Sequence, residues 1–259
     1  MEKFNYKKKY GQNFLINDEV LNKISNSINA TDKDLIIEIG PGIGALTKKL
    51  IEKDSNLICF EIDLDTKKHL DKIVNNKTKI IYEDILTVDL KGIISKEEFE
   101  KLYIVGNLPY YITTKIITTI LELDINPQEM VFMVQKEVAD RFTAKPGTKQ
   151  YGYITVLLDY YYESQVIIDA PKEYFNPMPK VDSKVVKFVK KDKISVENFE
   201  DFNRFIKDCF KFKRKKLLNN LDKYDKEKIA HYLEENGLSL NIRAEELNLK
   251  EFIDLYNSL

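Results

Sequence analysis

Residues 34–44 read DLIIEIGPGIG, an apolar, strand-like run that ends in three closely spaced glycines. The helix-like segment ALTKKLIEK (45–53) follows at once, so the pattern predicts a strand, a tight turn and a helix. Glycines at such a turn let the backbone approach a ligand and place that ligand near the helix N-terminus. A dinucleotide site and a tight turn without any ligand would look similar, so both interpretations stay open at this point.

Alternating strand-like and helix-like segments extend outward from this stretch to about Tyr162. Four further apolar runs are typical of strands buried on both faces: NLICFEI (56–62), KIIYED (79–84), LYIVGN (102–107) and EMVFMVQ (129–135). Helical spacing between them predicts a mainly parallel sheet covered on both sides. Two later runs are expected to add an antiparallel edge: SQVIIDAP (164–171) and SKVVKFVKK (183–191). The sequence therefore predicts an α/β fold with a seven-stranded sheet.

The helical segments divide between this sheet and the end of the chain. DEVLNKISNSIN (18–29) is expected to be a helix capped by Asn17 or Asp18, and TKKHLDKIV (66–74) and TTKIITTILEL (113–123) have helical spacing.

From about Glu197 the pattern is helical to the end, without a strand-like run. We therefore expect a larger domain at 1–191 and a small, all-helical domain at 192–259. The charge-rich stretch KKDKIS (190–195) is the expected hinge.

The formal net charge of −1 argues by itself against a general nucleic-acid-binding protein, but the basic residues are clustered. Residues 1–10, 136–149 and 207–216 carry net charges of +3, +2 and +5. Such clusters give a polyanion a positive surface to approach, although each could equally be a solvated face. The candidate RNA contacts are Lys145, Lys149, Lys211, Lys213, Arg214, Lys215 and Lys216.

Cysteine and histidine usage predicts no metal site. The two cysteines, Cys59 and Cys209, lie far apart in apolar surroundings, and the two histidines do not have metal-ligand spacing. We expect two buried thiols, no disulfide and no zinc. The first residues lack a hydrophobic signal region, and no long uncharged apolar run follows, so a cytosolic protein without a membrane span is expected.

Acidic residues follow two strands that come after the glycine-rich loop. Glu61 lies 21 residues after Gly40, the spacing expected of a carboxylate that binds ribose hydroxyls. Asp84 ends the next strand, where it could also cap the following segment. Because the carboxyl ends of parallel strands meet at one edge of a sheet, these residues indicate an adenosine-type ligand there.

The chemically most informative motif is Asn107-Leu108-Pro109-Tyr110, which ends the fourth strand. The amino nitrogen of adenine is a poor nucleophile, since its lone pair is delocalised into the ring. An Asn side-chain oxygen and a backbone carbonyl fixed by the following proline can accept its two N–H groups and aim the lone pair at a methyl sulfonium. This chemistry needs no strong base. A turn with a packed tyrosine is the simpler interpretation of the motif.

A flipped base needs more than one aromatic contact. Extrusion of a base costs a few kcal/mol, and stacking on one aromatic ring returns about 1–3 kcal/mol. Phe175, which precedes the proline-stiffened loop NPMPKVDS (176–183), is the candidate for a second wall beside Tyr110. Ordinary core packing would also explain an aromatic residue at this position.

These motifs together resemble the KsgA (RsmA) family of rRNA adenine dimethyltransferases. The matching segments occur in the family's order: Tyr10 to Leu15, Glu38 to Gly44, Glu61 to Asp63, Asp84, Asn107 to Tyr110, Lys145 to Gly152 and Phe175 to Ser183. The resemblance implies a Rossmann-like class I methyltransferase fold, S-adenosyl-L-methionine as cofactor and a monomer. It also implies cofactor contacts at Asn13, Leu15, Gly40, Glu61, Asp84 and Asn107.

The implied substrate is two adjacent adenosines in the 3′-terminal hairpin loop of 16S small-subunit rRNA, presented by the RNA or by an assembly intermediate. The sister group that methylates large-subunit rRNA usually has Asn-Ile-Pro-Tyr where this chain has Leu108, and PGTKQYG (146–152) favours the small-subunit enzymes. Two competing hypotheses are a catalytically idle assembly factor on the same fold and a methyltransferase that acts on a small molecule.

Overall fold

The structure is a computed structural model that describes residues 12–192 and 196–259. The basic segment 1–10 and the first two residues of the Tyr10–Leu15 motif lie outside the described residues, as does part of the expected hinge. The described residues form two compact units. Those within Met1–Ala139 and Gln165–Lys190 form the first, and those within Asp140–Ser164 and Lys191–Leu259 form the second.

A seven-stranded sheet runs through the first unit in the order β4-β3-β2-β5-β6-β9-β7. The four neighbouring pairs from β4 to β6 are parallel, and β9 runs antiparallel to β6. β1 and β8 form a separate antiparallel pair. The strands are β1 (Phe14–Leu15), β2 (Leu35–Ile39), β3 (Asn56–Phe60), β4 (Thr78–Ile81), β5 (Leu102–Asn107), β6 (Glu129–Gln135), β7 (Tyr162–Ala170), β8 (Phe175–Asn176) and β9 (Ser183–Lys190). The predicted parallel sheet with an antiparallel edge is confirmed.

Six helices begin in the first unit: α1 (Asp18–Ser27), α2 (Ala45–Ile51), α3 (Lys67–Leu70), α4 (Leu90–Ile94), α5 (Thr113–Glu122) and α6 (Lys136–Phe142). Asn17 is the cap of α1, since its side chain accepts a hydrogen bond from the backbone N–H of Val20 at 3.0 Å. The helix predicted over 66–74 is shorter. The N–H groups of Ile73 and Val74 both donate to the carbonyl of Leu70, a turn rather than a continuing helix.

The second unit is built from α7 (Tyr153–Tyr161), α8 (Phe199–Cys209), α9 (Leu217–Asn220), α10 (Lys226–Glu235) and α11 (Leu249–Asn257). The predicted domain boundary, between residues 191 and 192, lies one residue from the start of this unit's second segment. In addition, the unit contains Asp140–Ser164, because α7 is apolar on most sides and packs into the same core. The ring of Tyr160, for example, lies 5.0 Å from Phe199 and 5.7 Å from Phe202.

Both cysteines are buried thiols, as predicted. Among the described residues, no helix combines the length and the apolar character needed to cross a membrane.

Gly106 lets two central strands approach each other closely. It pairs with Ile39 of β2, and a Cβ atom at this position would lie 2.4 Å from the carbonyl oxygen of Ile39. Both strands are buried and hydrogen-bonded on both sides, so neither can shift without disturbing the sheet.

Replacement of Gly106 by alanine should therefore lower the free energy of unfolding by roughly 1–3 kcal/mol through overpacking. Urea denaturation would measure the change. The matched control is Gly152→Ala, where nothing lies within 4 Å of the added Cβ. We expect this control to stay within about 0.5 kcal/mol of the unsubstituted chain. Equal stability of the two variants would contradict the proposed close approach.

Candidate active site

One cavity opens at the carboxyl edge of the parallel strands and has an empty volume of about 910 Å³, its open mouth included. Residues that follow four neighbouring strands line it: Gly40 after β2, Glu61 after β3, Asp84 after β4 and Asn107 at the end of β5. The structure therefore brings together the glycine-rich loop, both predicted acids and the Asn-Leu-Pro-Tyr motif. This edge is where open α/β sheets bind their ligands.

The glycine-rich loop adopts a backbone that other residues rarely adopt. Gly40 and Gly42 have φ angles of +71° and +57°. A Cβ on Gly42 would lie 2.4 Å from Cε1 of Phe14, a cavity-lining ring. The loop therefore presents bare backbone to the cavity, and a side chain there would collide with the opposite wall.

Glu61 ties this loop to the end of β3. Its Oε2 accepts a hydrogen bond from the backbone N–H of Gly42 at 2.9 Å, and its Oε1 accepts one from Asp63 at 2.8 Å. The carboxylate is buried, and this burial raises its pKa, while backbone N–H groups of Asp63, Gly42 and Ile62 lower it. Each oxygen keeps a second acceptor position, so the group can also bind hydroxyls of a ligand in the cavity.

The Asn107 amide has a defined orientation. Its Nδ2 donates to the backbone carbonyl of Asn13 at 2.9 Å, which leaves Oδ1 as the acceptor end. Within the described part of the chain, no group donates to this Oδ1. The cavity wall therefore contains a fixed, unsatisfied hydrogen-bond acceptor.

The backbone carbonyl of the next residue, Leu108, is a second hydrogen-bond acceptor. The N–H of Leu108 donates to Met133 at 3.1 Å, whereas its carbonyl receives no hydrogen bond from the described residues. The carbonyl of Pro109, by contrast, already accepts from the N–H of Ile112 and from Oγ1 of Thr113. Asn107 Oδ1 and the Leu108 carbonyl thus form a pair of acceptors that suits an amino group with two N–H donors.

Tyr110 is a wall of the same cavity, and its ring is anchored at the far end. The phenol oxygen lies 2.7 Å from Oγ of Ser183, which is buried at the start of β9. Burial raises the pKa of Tyr110, so its phenol stays protonated near neutral pH. The side chain can therefore offer a stacking surface but does not serve as a base.

Comparison with known proteins agrees with this geometry. A sequence model of the ribosomal RNA adenine dimethylase family matches residues 3–259. The chain belongs to this family. A protein of Fusobacterium nucleatum, named ribosomal RNA small subunit methyltransferase A, is 44% identical over 97% of each chain. One of the same name from Geobacillus thermodenitrificans is 40% identical over 99% of this chain and 92% of its own.

Solved structures show the same fold. A crystal structure of a dimethyladenosine transferase from Plasmodium falciparum is 25% identical, covers 93% of this chain and 95% of its own, and has a TM-score of 0.78. The 23S rRNA methyltransferase ErmE has a TM-score of 0.75 over 95% of this chain and 99% of its own, at 22% identity. The class I methyltransferase fold that the sequence predicts is confirmed.

Two predicted site residues of this dimethylase do not line the main cavity. Phe175 is 3% exposed and Leu15 is 5% exposed, and both pack in the apolar core of the first unit. They pair with each other where β8 meets β1. Leu15 instead lines a smaller cavity, which Gly40 and Pro41 of the glycine-rich loop also line. The pairing of these two residues holds β1, and Asn13 directly precedes that strand.

Several cavity residues have no role in the sequence-based prediction. Gln12, Phe14, Ile85 and Tyr111 all line the cavity. Gln12 reaches across to Asp63, whose Oδ2 accepts from its Nε2 at 2.6 Å. Gln12 and Asp63 both stand inside motifs that match the family, which is the signal that could have identified them.

The predicted RNA contacts all lie in the second unit of the dimethylase. Lys145 and Lys149 belong to its first segment, and the cluster at 211–216 joins α8 to α9. Each of these basic residues is exposed. None forms an ion pair with another residue in the described ranges, so their charges are not neutralised there.

A buried acid behind the loop was not singled out by the sequence pattern. Glu38 is 1% exposed, and its Oε2 lies 3.5 Å from the thiol of Cys59. Burial raises the pKa of Glu38 to about 7, and the carboxylate of Glu61 raises it as well. The folded chain therefore holds a proton on Glu38 that an unfolded chain releases at lower pH.

The Glu38→Gln variant should become more stable relative to the unsubstituted chain as the pH rises, because the unsubstituted chain loses stability over this range. Since the folded pKa lies above the unfolded value of 4.5, Glu38 binds its proton more tightly in the folded state. Its contribution to stability is complete below pH 4.5 and declines through about pH 7, a loss on the order of 3 kcal/mol. Glutamine does not titrate, so the difference in unfolding free energy between variant and parent should move in favour of the variant from pH 5 to pH 8. A difference independent of pH would contradict the raised pKa.

Proposed function

We propose that this chain transfers methyl groups from S-adenosyl-L-methionine to the N6 amino groups of two adjacent adenosines in small-subunit rRNA, and that each becomes N6,N6-dimethyladenosine. The observation that carries the proposal is the pair of acceptors in cavity-lining residues, Asn107 Oδ1 and the Leu108 carbonyl, to which no described residue donates. Relatives with 38–44% identity are named for the small ribosomal subunit, which supports this target.

The cavity has the features that the methyl donor requires. Bare backbone at Gly40 lets a ligand approach the loop closely, and Glu61 offers acceptor positions for ribose hydroxyls. Asp84 lines the adjoining wall with Ile85, an arrangement that suits the polar edge and the face of a base. The cofactor supplies an electrophilic methyl group on a sulfonium. The proposed cofactor-binding residues are Asn13, Leu15, Gly40, Glu61, Asp84 and Asn107.

Placement of the amino group is the main catalytic contribution of the chain. When Asn107 Oδ1 and the Leu108 carbonyl accept its two N–H groups, the nitrogen becomes pyramidal and its lone pair turns toward the donor. Pro109 fixes the backbone that follows the second acceptor. As the N–C bond forms, the S–C bond would break and S-adenosylhomocysteine would leave. The methylated nitrogen is then cationic and acidic, so it can lose its proton to water without a general base, which agrees with a neutral Tyr110 phenol. After the first transfer one N–H remains, so one acceptor suffices to orient the second.

Tyr110 is proposed as the surface on which the target adenine stacks. Its hydrogen bond to Ser183 holds the ring in one orientation. Phe175 is buried, and we propose that it supports this site through the packing of β8 against β1.

RNA affinity is assigned to the second unit. Seven exposed cations that form no ion pair with another described residue are proposed to contact phosphates: Lys145, Lys149, Lys211, Lys213, Arg214, Lys215 and Lys216. The substrate is the 3′-terminal hairpin loop, in the RNA or in an assembly intermediate of the small subunit. We propose that the enzyme acts as a monomer in the cytoplasm during ribosome biogenesis.

Transfer of labelled methyl groups tests this proposal. The unsubstituted chain is incubated with labelled S-adenosyl-L-methionine and, separately, with undermethylated small subunits and with large-subunit RNA, and the RNA is digested to nucleosides. We expect label in N6,N6-dimethyladenosine from the small subunit alone. Fully methylated small subunits are the control and should accept none. Label from large-subunit RNA would overturn the proposed target, and binding without transfer would indicate an assembly factor.

A further inference from the structure

The segment that joins α8 to α9, Lys211–Lys216, is a basic turn with one aromatic residue. All six residues are exposed, and Phe212 is 52% exposed. The five cations form no ion pair within the described part of the chain. Among the described residues, Phe212 is the one phenylalanine with an exposed side chain, and it lies between cations.

Hydrogen bonds from the buried Asn220 side chain fix the backbone of the basic turn. Asn220 is buried, and its Nδ2 donates to the carbonyl of Cys209 at 2.6 Å and to that of Phe212 at 3.2 Å. The N–H of Lys215 also donates to the Phe212 carbonyl at 3.4 Å. The backbone of Phe212 is therefore fixed by two donors, and the exposure of its ring belongs to a defined conformation.

Phe210, an aromatic residue close to Phe212 in the chain, packs against the core of the second unit. Phe210 lies two positions earlier and packs 5.7 Å from Phe252 and 6.3 Å from Tyr151. Phe212 instead has the Nζ of Lys211 at 5.1 Å from its ring centroid. A cation on one face polarises the ring and leaves the opposite face open to a planar partner.

We propose that Phe212 is a stacking platform for an unpaired base of the RNA substrate, outside the methyl-transfer cavity. This inference rests on the proposed function, which makes RNA the partner. Aromatic rings bind unstacked bases face to face with little sequence preference, and flanking cations bind the adjoining phosphates. The unpaired charges of the basic turn favour a polyanion, so an RNA base is a better match than the apolar surface of a protein.

Affinity measurements separate stacking from charge. Dissociation constants are determined over a range of salt concentrations, for undermethylated small subunits and for their deproteinised rRNA. The variants are Phe212→Ala, Phe212→Leu and Phe212→Tyr, with Lys213→Ala as the charge variant. Leu240→Ala is the matched control, because Leu240 is an exposed apolar residue of the same unit.

Phe212→Ala should weaken binding to both RNA forms by about 5- to 100-fold without changing the slope of log affinity against log salt. Phe212→Leu should weaken it similarly, since leucine has no π face, whereas Phe212→Tyr and Leu240→Ala should bind like the unsubstituted chain. Lys213→Ala should reduce the slope by about 0.7–0.9.

Unchanged affinity of Phe212→Ala would overturn the inference. A loss confined to the assembled subunit would also overturn it, by assigning the ring to a ribosomal protein. Because the readout is binding, it is independent of methyl transfer. Failure of the proposed function would appear instead as absence of transfer by the unsubstituted chain.

Discussion

The hydrogen bond from Asn107 Nδ2 to the carbonyl of Asn13 sets the chemistry of the cavity. It fixes which end of the amide is an acceptor and joins the end of β5 to the segment that precedes β1. Gln12 and Asn13 of that segment line the cavity together with Phe14 of β1, and β1 is held by its pairing with β8. This one hydrogen bond therefore fixes the acceptor that would orient an amino group, and it also positions the cavity wall that contains Gln12 and Phe14.

The conformation of the glycine-rich loop likewise depends on a few hydrogen bonds. A single carboxylate, Glu61, fixes the loop through Gly42 and fixes its own turn through Asp63. Directly behind it, Glu38 is buried with a raised pKa, so the site holds one acid with backbone donors and one that tends to stay protonated. Two ionised carboxylates in this small volume would repel each other, and the protonation of Glu38 reduces that repulsion.

The sheet and most of the cavity could be predicted from sequence, because strand ends in a parallel sheet share one edge and local patterns locate those ends. The burial of the Leu15 and Phe175 side chains could not be predicted in this way. Whether their side chains face the ligand or the core depends on the β1–β8 pairing, which joins segments far apart in the chain. The membership of α7 in the second unit has the same origin, since Tyr160 packs against residues of α8. The sequence also does not show that the Leu108 carbonyl is the one without a described donor. That follows from the start of α5 and the turn before it, whose hydrogen bonds occupy the Pro109 carbonyl.

The central claim is that Asn107 and Leu108 position the amino group and do not mainly bind the methyl donor. Its most direct test compares Asn107→Ala with the unsubstituted chain in two assays: the affinity for S-adenosyl-L-methionine by calorimetry, and the rate of methyl transfer to bound small subunits in a single turnover. The account predicts a rate at least about 100-fold lower with an affinity changed by less than about tenfold, since loss of one preorganised hydrogen-bonding group costs about 10²–10³ in rate. Transfer at the unsubstituted rate would contradict it, as would a loss of affinity as large as the loss of rate.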